Sequence, residues 1–199
     1  DVNVEYHCNA DSTGRAVFYA HPDMANQIIF ENNKKGKLSI SVGTDSVFTD
    51  NIPTIVLYSA FLQSADNQGD STLHIRSVAP APQVNFKLID NGKVIVDNVE
   101  ATSVNVEILT GKGDITVAGK CTSLNIKNTG KGTINTENLV AKDVNCRILG
   151  TGKVYCRVEG GKLSIRGSGT GKVYYRGTPS ETKSFQLGTI KAINLDEEQ

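Results

Sequence analysis

The chain has 199 residues, and its 21 Lys and Arg residues balance 21 Asp and Glu residues, so the formal net charge is zero. This balance gives no global electrostatic reason to bind nucleic acid or an anionic membrane, and no apolar run reaches the roughly 18 residues that a transmembrane helix needs. Aromatic residues make up 6% of the chain and Gly reaches 19 residues, which favours many thin strands over a bulky sandwich core.

The first 80 residues contain five short segments that predict β-strands, separated by turns rich in Gly, Asn, Asp and Pro. These segments are 14–20, 27–30, 37–42, 55–58 and 72–75. The turn at 32–36 suits a hairpin between the second and third segments. We expect this irregular β region, residues 1–80, to cap one end of the structure that follows. Because the chain begins at Asp1, we also expect a mature form whose leader has been removed.

From residue 81 to residue 180 the sequence repeats with a period near 20. Four copies of a G-[KT]-G-x-[IV] motif begin at Gly111, Gly130, Gly150 and Gly169, and their second glycines lie 19, 20 and 19 residues apart. An alternating apolar and polar triplet precedes each copy and predicts a strand in which every second side chain points inward. The triplets begin at Val84, Val104, Leu124, Val144 and Leu163.

This period predicts a solenoid, because at about 3.3 Å per residue one repeat forms a rung of two or three short strands. Each strand then pairs in parallel with its copy in the next rung. We therefore predict an all-β, single-stranded parallel β-helix, right-handed by the crossover rule, with roughly 19–21 residues per rung. One domain is expected over 1–199, with regular rungs at 81–180 and a terminal rung and frayed tail at 181–199. The leucine-rich and calcium-binding nonapeptide patterns are absent, and a sandwich would not require so regular a repeat.

Outward side chains one period apart form rows along such a solenoid, about 4.8 Å from rung to rung. An amide row is expected to form hydrogen bonds along the axis and stiffen the sheet, with glycan contact as the alternative. It comprises Asn85, Asn105, Asn125, Asn145 and Ser164. The charged row beside it comprises Lys87, Glu107, Lys127, Arg147 and Arg166, and its first three members suggest ordinary surface ion pairs.

The last two regular rungs bring four outward side chains together and give the candidate ligand-binding site. Tyr155 and Tyr174 follow Ile95, Thr116 and Asn135 in one row, and Arg157 and Arg176 follow Asp97, Ala118 and Glu137 in the next. Aromatic faces with flanking donors suit sugar rings or an anionic polymer. The alternative is that these tyrosines are ordinary strand residues and the arginines are solvated. Tyr175 takes an inward position in the same register.

No catalytic or metal-binding arrangement is evident. The carboxylates on the rungs fall in different rows rather than as a facing pair, and no G-x-S-x-G elbow is present. They are Asp90, Asp97, Glu107, Asp114, Glu137 and Asp143. His7, His21 and His74 lie in the irregular half with no matched partner. The four cysteines show no CxxC pair and no His at metal spacing, so we expect buried free thiols and predict no metal and no cofactor.

Beyond these patterns, the sequence resembles the "head GIN domain" family, whose members carry the label of putative auto-transporter adhesins and are common in Bacteroidetes. The resemblance is carried by the glycine corners, by residues 67–73 and by the closing stretch 169–179. It implies a parallel β-helix, an export or lipoprotein signal and a place in the envelope. The segment 185–190 departs from the usual Ser/Gly-rich strand of that family, which predicts an altered terminal rung.

Three functions follow from this sequence, in decreasing order of preference. The first is a noncatalytic binding or adhesion module, secreted or exposed on the cell envelope, with a glycan or a cell-surface protein as partner. The second is a structural or self-assembling envelope protein that forms homo-oligomers through its open solenoid ends. The third, a polysaccharide-processing enzyme, would require paired carboxylates in a groove. No nucleic acid is expected as a partner, and no segment is expected to span a membrane.

Overall fold

The computed structural model of the protein describes residues 2–43 and 53–197. The chain is nearly all β, with 68% strand and 2% helix, and it forms a β-solenoid of about 6 turns. The strands are β1 (Asn3–Cys8), β2 (Arg15–Val17), β3 (Ile28–Asn32), β4 (Leu38–Val42), β5 (Thr54–Ser59), β6 (Ser64–Asn67), β7 (Thr72–Ile75), β8 (Ala81–Ile89), β9 (Lys93–Thr110), β10 (Asp114–Asn128), β11 (Thr133–Gly150), β12 (Lys153–Glu159), β13 (Lys162–Gly169), β14 (Lys172–Thr178), β15 (Glu181–Gly188) and β16 (Lys191–Asn194). The fold class predicted from the repeat is therefore confirmed.

Each rung contributes one strand segment to each of two parallel stacks, which we call sheet A and sheet B. The long strands β9, β10 and β11 take part in both, because their first halves pair in sheet A and their second halves pair in sheet B. Beyond β11 the two segments are separate strands, so β12, β14 and β16 continue sheet A. Strands β13 and β15 continue sheet B, which begins with β6 and β8.

The core lies between the two sheets and is built from the inward members of each triplet. In sheet B the row Val84, Val104, Leu124, Val144 and Leu163 is buried. In sheet A the row Val94, Ile115, Ile134, Val154 and Val173 is buried. The register pairs each residue with its copy one rung away, as the repeat predicts. Stacking identical apolar side chains in this way fills the narrow interior with Val, Ile and Leu, for which few aromatic residues are needed.

The glycine corners let successive rungs approach closely. A Cβ atom at Gly132 would overlap the carbonyl oxygen of Gly113 and lie 3.0 Å from its carbonyl carbon, and similar overlap occurs at Gly152 and Gly171. The backbone amides of the next residues donate across these corners, as from Thr133 to Gly113. The second glycine of each motif is therefore required by packing between rungs rather than by a ligand.

The first 80 residues join the solenoid out of sequence order. Strand β1 lies between β5 and β7 and pairs in parallel with both, so parallel pairing in sheet A continues upstream of residue 81. The hairpin of β3 and β4 has the predicted turn, in which the Asn33 side chain accepts hydrogen bonds from the amides of Lys35 and Lys37. Strands β1 and β6 and the short helix α1 (Pro22–Ala25) were not predicted.

The last described rung consists of β15 and β16, and each has a described partner on one side only. Within the tail, the Asp196 carboxylate accepts hydrogen bonds from the Arg176 side chain and the Gly177 amide. Glu198 and Gln199 lie outside the described residues. The altered segment 185–190 contributes the second half of β15, with Phe185 and Leu187 exposed and Ile190 buried.

All four cysteines are free. Cys146 and Cys156 point into the core, whereas Cys8 and Cys121 are half-buried. Burial raises the pKa of Cys121 to about 11 and that of Cys156 to about 12. The raised pKa values favour the protonated thiols of Cys121 and Cys156, which pack as small apolar side chains.

Candidate functional site

Tyr155 and Tyr174 lie side by side on the outer face of sheet A, on the paired strands β12 and β14. Their ring centroids are 4.7 Å apart and the ring planes differ by 9°, so each ring covers one face of the other. Asn135 and Ile193 occupy the positions above and below them in the same row. One face of each ring is therefore covered by the other ring. The predicted use of these tyrosines in binding a sugar stays a prediction, and the pair also presents ring edges and two hydroxyl groups.

Arg157 and Arg176 are also backbone partners, as predicted, but their side chains are engaged in ion pairs. Arg157 Nε donates to Glu159 Oε1 at 2.9 Å. Arg176 Nε donates to the Glu137 carboxylate, and its Nη1 donates to Asp196 Oδ1 at 2.9 Å. These partners neutralise the positive charge, so the site does not offer the free arginines that an anionic polymer requires.

The row predicted for Arg157 needs a correction at its upstream end. The register shifts between Thr136 and Val140, so Arg157 faces Val140 in the ladder rather than Glu137. A second shift follows Val117, which displaces Ala118 from its predicted partner Asp97. Both shifts occur where the chain bends from sheet A into sheet B, and residues inserted at such a bend change the spacing between paired residues. Glu137 still reaches the site through its contact with Arg176.

Taken together, the four predicted residues form a half-exposed polar surface on the last two regular rungs. The two tyrosine hydroxyls can donate and accept, the guanidinium groups retain N–H donors beyond their ion pairs, and the carboxylates of Glu137 and Glu159 accept. Such a mixed set of donors and acceptors matches the hydroxyl groups of a sugar better than a uniformly charged ligand. We call Tyr155, Tyr174, Arg157 and Arg176 the tyrosine–arginine site.

The outer face of sheet B carries the predicted amide ladder. Asn105 Nδ2 donates to Asn85 Oδ1 at 2.7 Å, and Asn125 Nδ2 donates to Asn105 Oδ1 at 2.9 Å. Beside it, Lys127 and Glu107 form an ion pair at 2.6 Å. The two rows line a shallow groove of about 350 Å³. Asn105 spends one donor and one acceptor on its two neighbours, so the ladder of Asn85, Asn105 and Asn125 primarily stabilises the stack.

A cluster of charged side chains near the amino-terminal end of sheet A was missed by sequence reasoning. His74 Nε2 lies 2.8 Å from Asp97 Oδ1, and His7 Nε2 lies 2.6 Å from Glu5 Oε1, so both histidines have carboxylate partners after all. Arg76 joins the two pairs by donating to Glu5 and Asp97. Hydrogen bonds from Arg76 and then His7 lower the pKa of Glu5. The out-of-order strand β1 creates this cluster, and no periodic signal reveals that placement.

The structure brings no metal site together among residues 2–43 and 53–197, where no group of three or more His, Cys, Asp or Glu side chains converges. Within the same residues, no helix has the length and apolarity to cross a membrane. The carboxylates of the charged cluster are paired with basic groups, and Glu107 is paired with Lys127. Two facing, unpaired carboxylates, which glycoside hydrolysis would use, are not formed by these residues.

The chain is similar to one protein family and to several solved structures. A family model described as "Putative auto-transporter adhesin, head GIN domain" matches residues 2–179. No curated protein matches the chain. A crystal structure of a putative adhesin from Bacteroides fragilis NCTC 9343 has a TM-score of 0.82 at 20% identity, covering 98% of this chain and 88% of that one.

Two further crystal structures share the fold. A putative lipid binding protein from Parabacteroides distasonis ATCC 8503 has a TM-score of 0.70 at 17% identity, covering 96% of this chain and 89% of that one. A putative adhesin from Parabacteroides merdae ATCC 43184 has the same TM-score and identity, covering 96% of this chain and 88% of that one. At these identities the similarity establishes the shared β-solenoid and no binding property.

Proposed function

The chain belongs to the family described as "Putative auto-transporter adhesin, head GIN domain", and from that premise we propose that it is a noncatalytic binding module of the cell envelope that recognises glycans. The solenoid serves as a stiff scaffold, since each rung is bonded along its length to the next. The tyrosine–arginine site is the proposed contact surface. Its donors and acceptors are held by β12 and β14 rather than by loops, so they are positioned before a ligand arrives.

The observation that carries this proposal is the stacked pair of Tyr155 and Tyr174. Stacking fixes both rings, so their hydroxyl groups stand in a fixed relation on neighbouring rungs. The ion pairs of Arg157 and Arg176 hold the guanidinium groups beside the rings. A ligand that bonds to these groups loses little side-chain entropy on the protein side, which favours measurable affinity for a weakly binding sugar.

A glycan-array screen of the folded protein tests this function, with a reducing-sugar assay on every glycan that is bound. We expect saturable binding without release of reducing ends. Binding with cleavage would contradict the noncatalytic assignment and would direct attention to the carboxylates Glu137 and Glu159 beside the site. Absence of binding to any glycan would contradict the glycan assignment.

A second function, self-assembly through the solenoid end, is favoured by the single-sided pairing of β15 and β16. An open strand edge can pair with another copy of the chain, which is the usual hazard of unprotected edges. Under this proposal, light scattering is expected to show a molar mass that rises with protein concentration. A strict monomer of 21.4 kDa at high concentration would contradict it.

A further inference from the structure

Sheet B carries a cationic pair that the tyrosine–arginine site does not include. Arg147 and Arg166 are direct partners on β11 and β13, and both are exposed. Among residues 2–43 and 53–197, neither forms an ion pair. Like charges placed directly opposite on neighbouring strands destabilise a sheet. Within the described part of the chain, these two adjacent positive charges therefore have no ion-pair partner, in contrast to Arg157 and Arg176.

The neighbouring acids are already occupied. Glu107, two rungs before Arg147 in the same row, is 2.6 Å from Lys127. Glu181 on β15 is shared by Lys162 at 3.4 Å and Lys183 at 2.9 Å. These carboxylates are therefore paired with lysines rather than with Arg147 or Arg166.

An apolar row runs beside the arginine pair. Phe185 follows Arg166 in the same row, one rung further on, and is 66% exposed. Leu187 is 62% exposed and follows Ser168 and Leu149 in the adjacent row, where Leu149 is also exposed. Two large apolar side chains on one short strand thus face solvent next to two arginines that form no ion pair with any described residue.

Strand β15 reverses the pattern of the other rungs. The positions of β15 that pair with the buried Leu163 and Ile165 hold Thr182 and Ser184, and both of these are exposed. Its outward positions hold Phe185 and Leu187. On a strand that only closed the solenoid, the outward positions would be polar. Exposed apolar side chains grouped in this way mark a surface that is covered by a partner.

We propose that Arg147, Arg166, Phe185 and Leu187 form an interfacial patch that binds an anionic lipid surface. The arginines contact the negatively charged headgroups, and Phe185 and Leu187 insert at the boundary between headgroups and acyl chains. An exposed aliphatic side chain such as Leu187 contributes little to binding a sugar, whereas Leu187 and Phe185 are both stabilised by transfer into an apolar layer. An anionic lipid surface therefore contacts both the arginines and the apolar side chains of the patch. The patch lies on sheet B, away from the tyrosine–arginine site, so both surfaces can act in one molecule.

Vesicle flotation tests the proposal with the full chain. The wild-type protein should float with vesicles of phosphatidylcholine containing phosphatidylglycerol and not with vesicles of phosphatidylcholine alone. Binding should weaken as salt is raised, since the headgroup contacts are electrostatic. With each arginine contributing about 1 kcal/mol near an anionic surface, Arg147→Ala with Arg166→Ala should lower the partition coefficient about 30-fold. Phe185→Ser with Leu187→Ser should lower it at least about tenfold.

A matched control is Lys112→Ala with Lys131→Ala, which removes the same charge from two exposed glycine corners. This variant should partition as the wild type does, and thermal melting should show that all variants are folded. An equal loss of vesicle binding in the control would mean that the total charge of the protein, rather than the arginine pair, attracts it to the vesicles. That result would overturn the proposed patch. Failure of the wild type to float would overturn it as well. Arginine-dependent binding to soluble polygalacturonate in place of vesicles would assign the pair to an acidic glycan instead.

Discussion

Gly119→Ala is expected to destabilise the protein by about 4 kcal/mol, the sum of backbone strain and overpacking. Gly119 lies at the bend of β10, where the register shifts as the chain passes from sheet A to sheet B. Its φ is +134°, which L side chains rarely adopt, and an added Cβ would lie 2.6 Å from the Val99 amide nitrogen and overlap the Val99 carbonyl. The obstacle is backbone of the preceding rung, which cannot rotate away. Chemical denaturation measures the change in the free energy of unfolding.

Gly160→Ala is the matched control. Gly160 also has a positive φ, of +74°, but nothing lies within 4 Å of an added Cβ. Strain alone remains at this position, and the expected loss is about 1–2 kcal/mol. Similar losses of unfolding free energy in Gly119→Ala and Gly160→Ala would contradict this account. They would show that close backbone approach does not constrain the spacing of the rungs at the bend.

Asn128→Asp is expected to destabilise the protein by about 3–5 kcal/mol at neutral pH, because it buries an unpaired charge. Asn128 is fully buried, in a row whose neighbours Ile108 and Ile148 are apolar. Its Nδ2 donates to the carbonyls of Gly132 and Lys153, and its Oδ1 accepts from the Gly130 amide. Aspartate has nearly the same shape but would turn a carboxylate oxygen toward two carbonyl oxygens.

The pH dependence separates this charge effect from a change in packing. The introduced carboxyl would have its pKa raised in the folded state by burial and by the facing carbonyls. Its penalty is then complete above that raised pKa and disappears as the pH falls toward the unfolded value of about 3.9. The difference in unfolding free energy between variant and wild type should therefore shrink between pH 7.5 and pH 4.5. Asn145→Asp, at an exposed position, should change stability by less than about 0.5 kcal/mol at either pH.

The repeat is the reason that so much of this fold is predictable from sequence. Each inward position recurs every 19 to 21 residues, so the triplets at Val104, Leu124 and Val144 specify both the strand and its register. The amide ladder and the adjacency of Tyr155 and Tyr174 follow from the same period. Side-chain direction within a row does not follow from it. The period therefore places Arg157 beside Arg176 but cannot reveal their ion pairs with Glu159, Glu137 and Asp196.

Features outside the period were missed for a physical reason. The insertion of β1 between β5 and β7 joins residues about 70 positions apart, such as Glu5 and Arg76, and depends on how the first strand docks rather than on local pattern. Asn128 was missed because it occupies an otherwise apolar row. A signal for it exists in the sequence, because Asn67 and Asn128 each stand two residues before a glycine. The side-chain oxygen of each asparagine accepts a hydrogen bond from the backbone amide of that glycine. That N-x-G spacing identifies buried asparagines that close a corner.

The central claim, glycan binding through the tyrosine hydroxyls, is tested most directly by calorimetric titration of an array-identified glycan. The comparison is between the wild type and Tyr155→Phe with Tyr174→Phe, which preserves the stacked rings and removes both hydroxyls. Two lost hydrogen bonds of about 1 kcal/mol each predict a dissociation constant about 30-fold weaker. An unchanged dissociation constant, both in this variant and in Tyr155→Ala with Tyr174→Ala, would contradict the account and place the glycan on another surface of the solenoid.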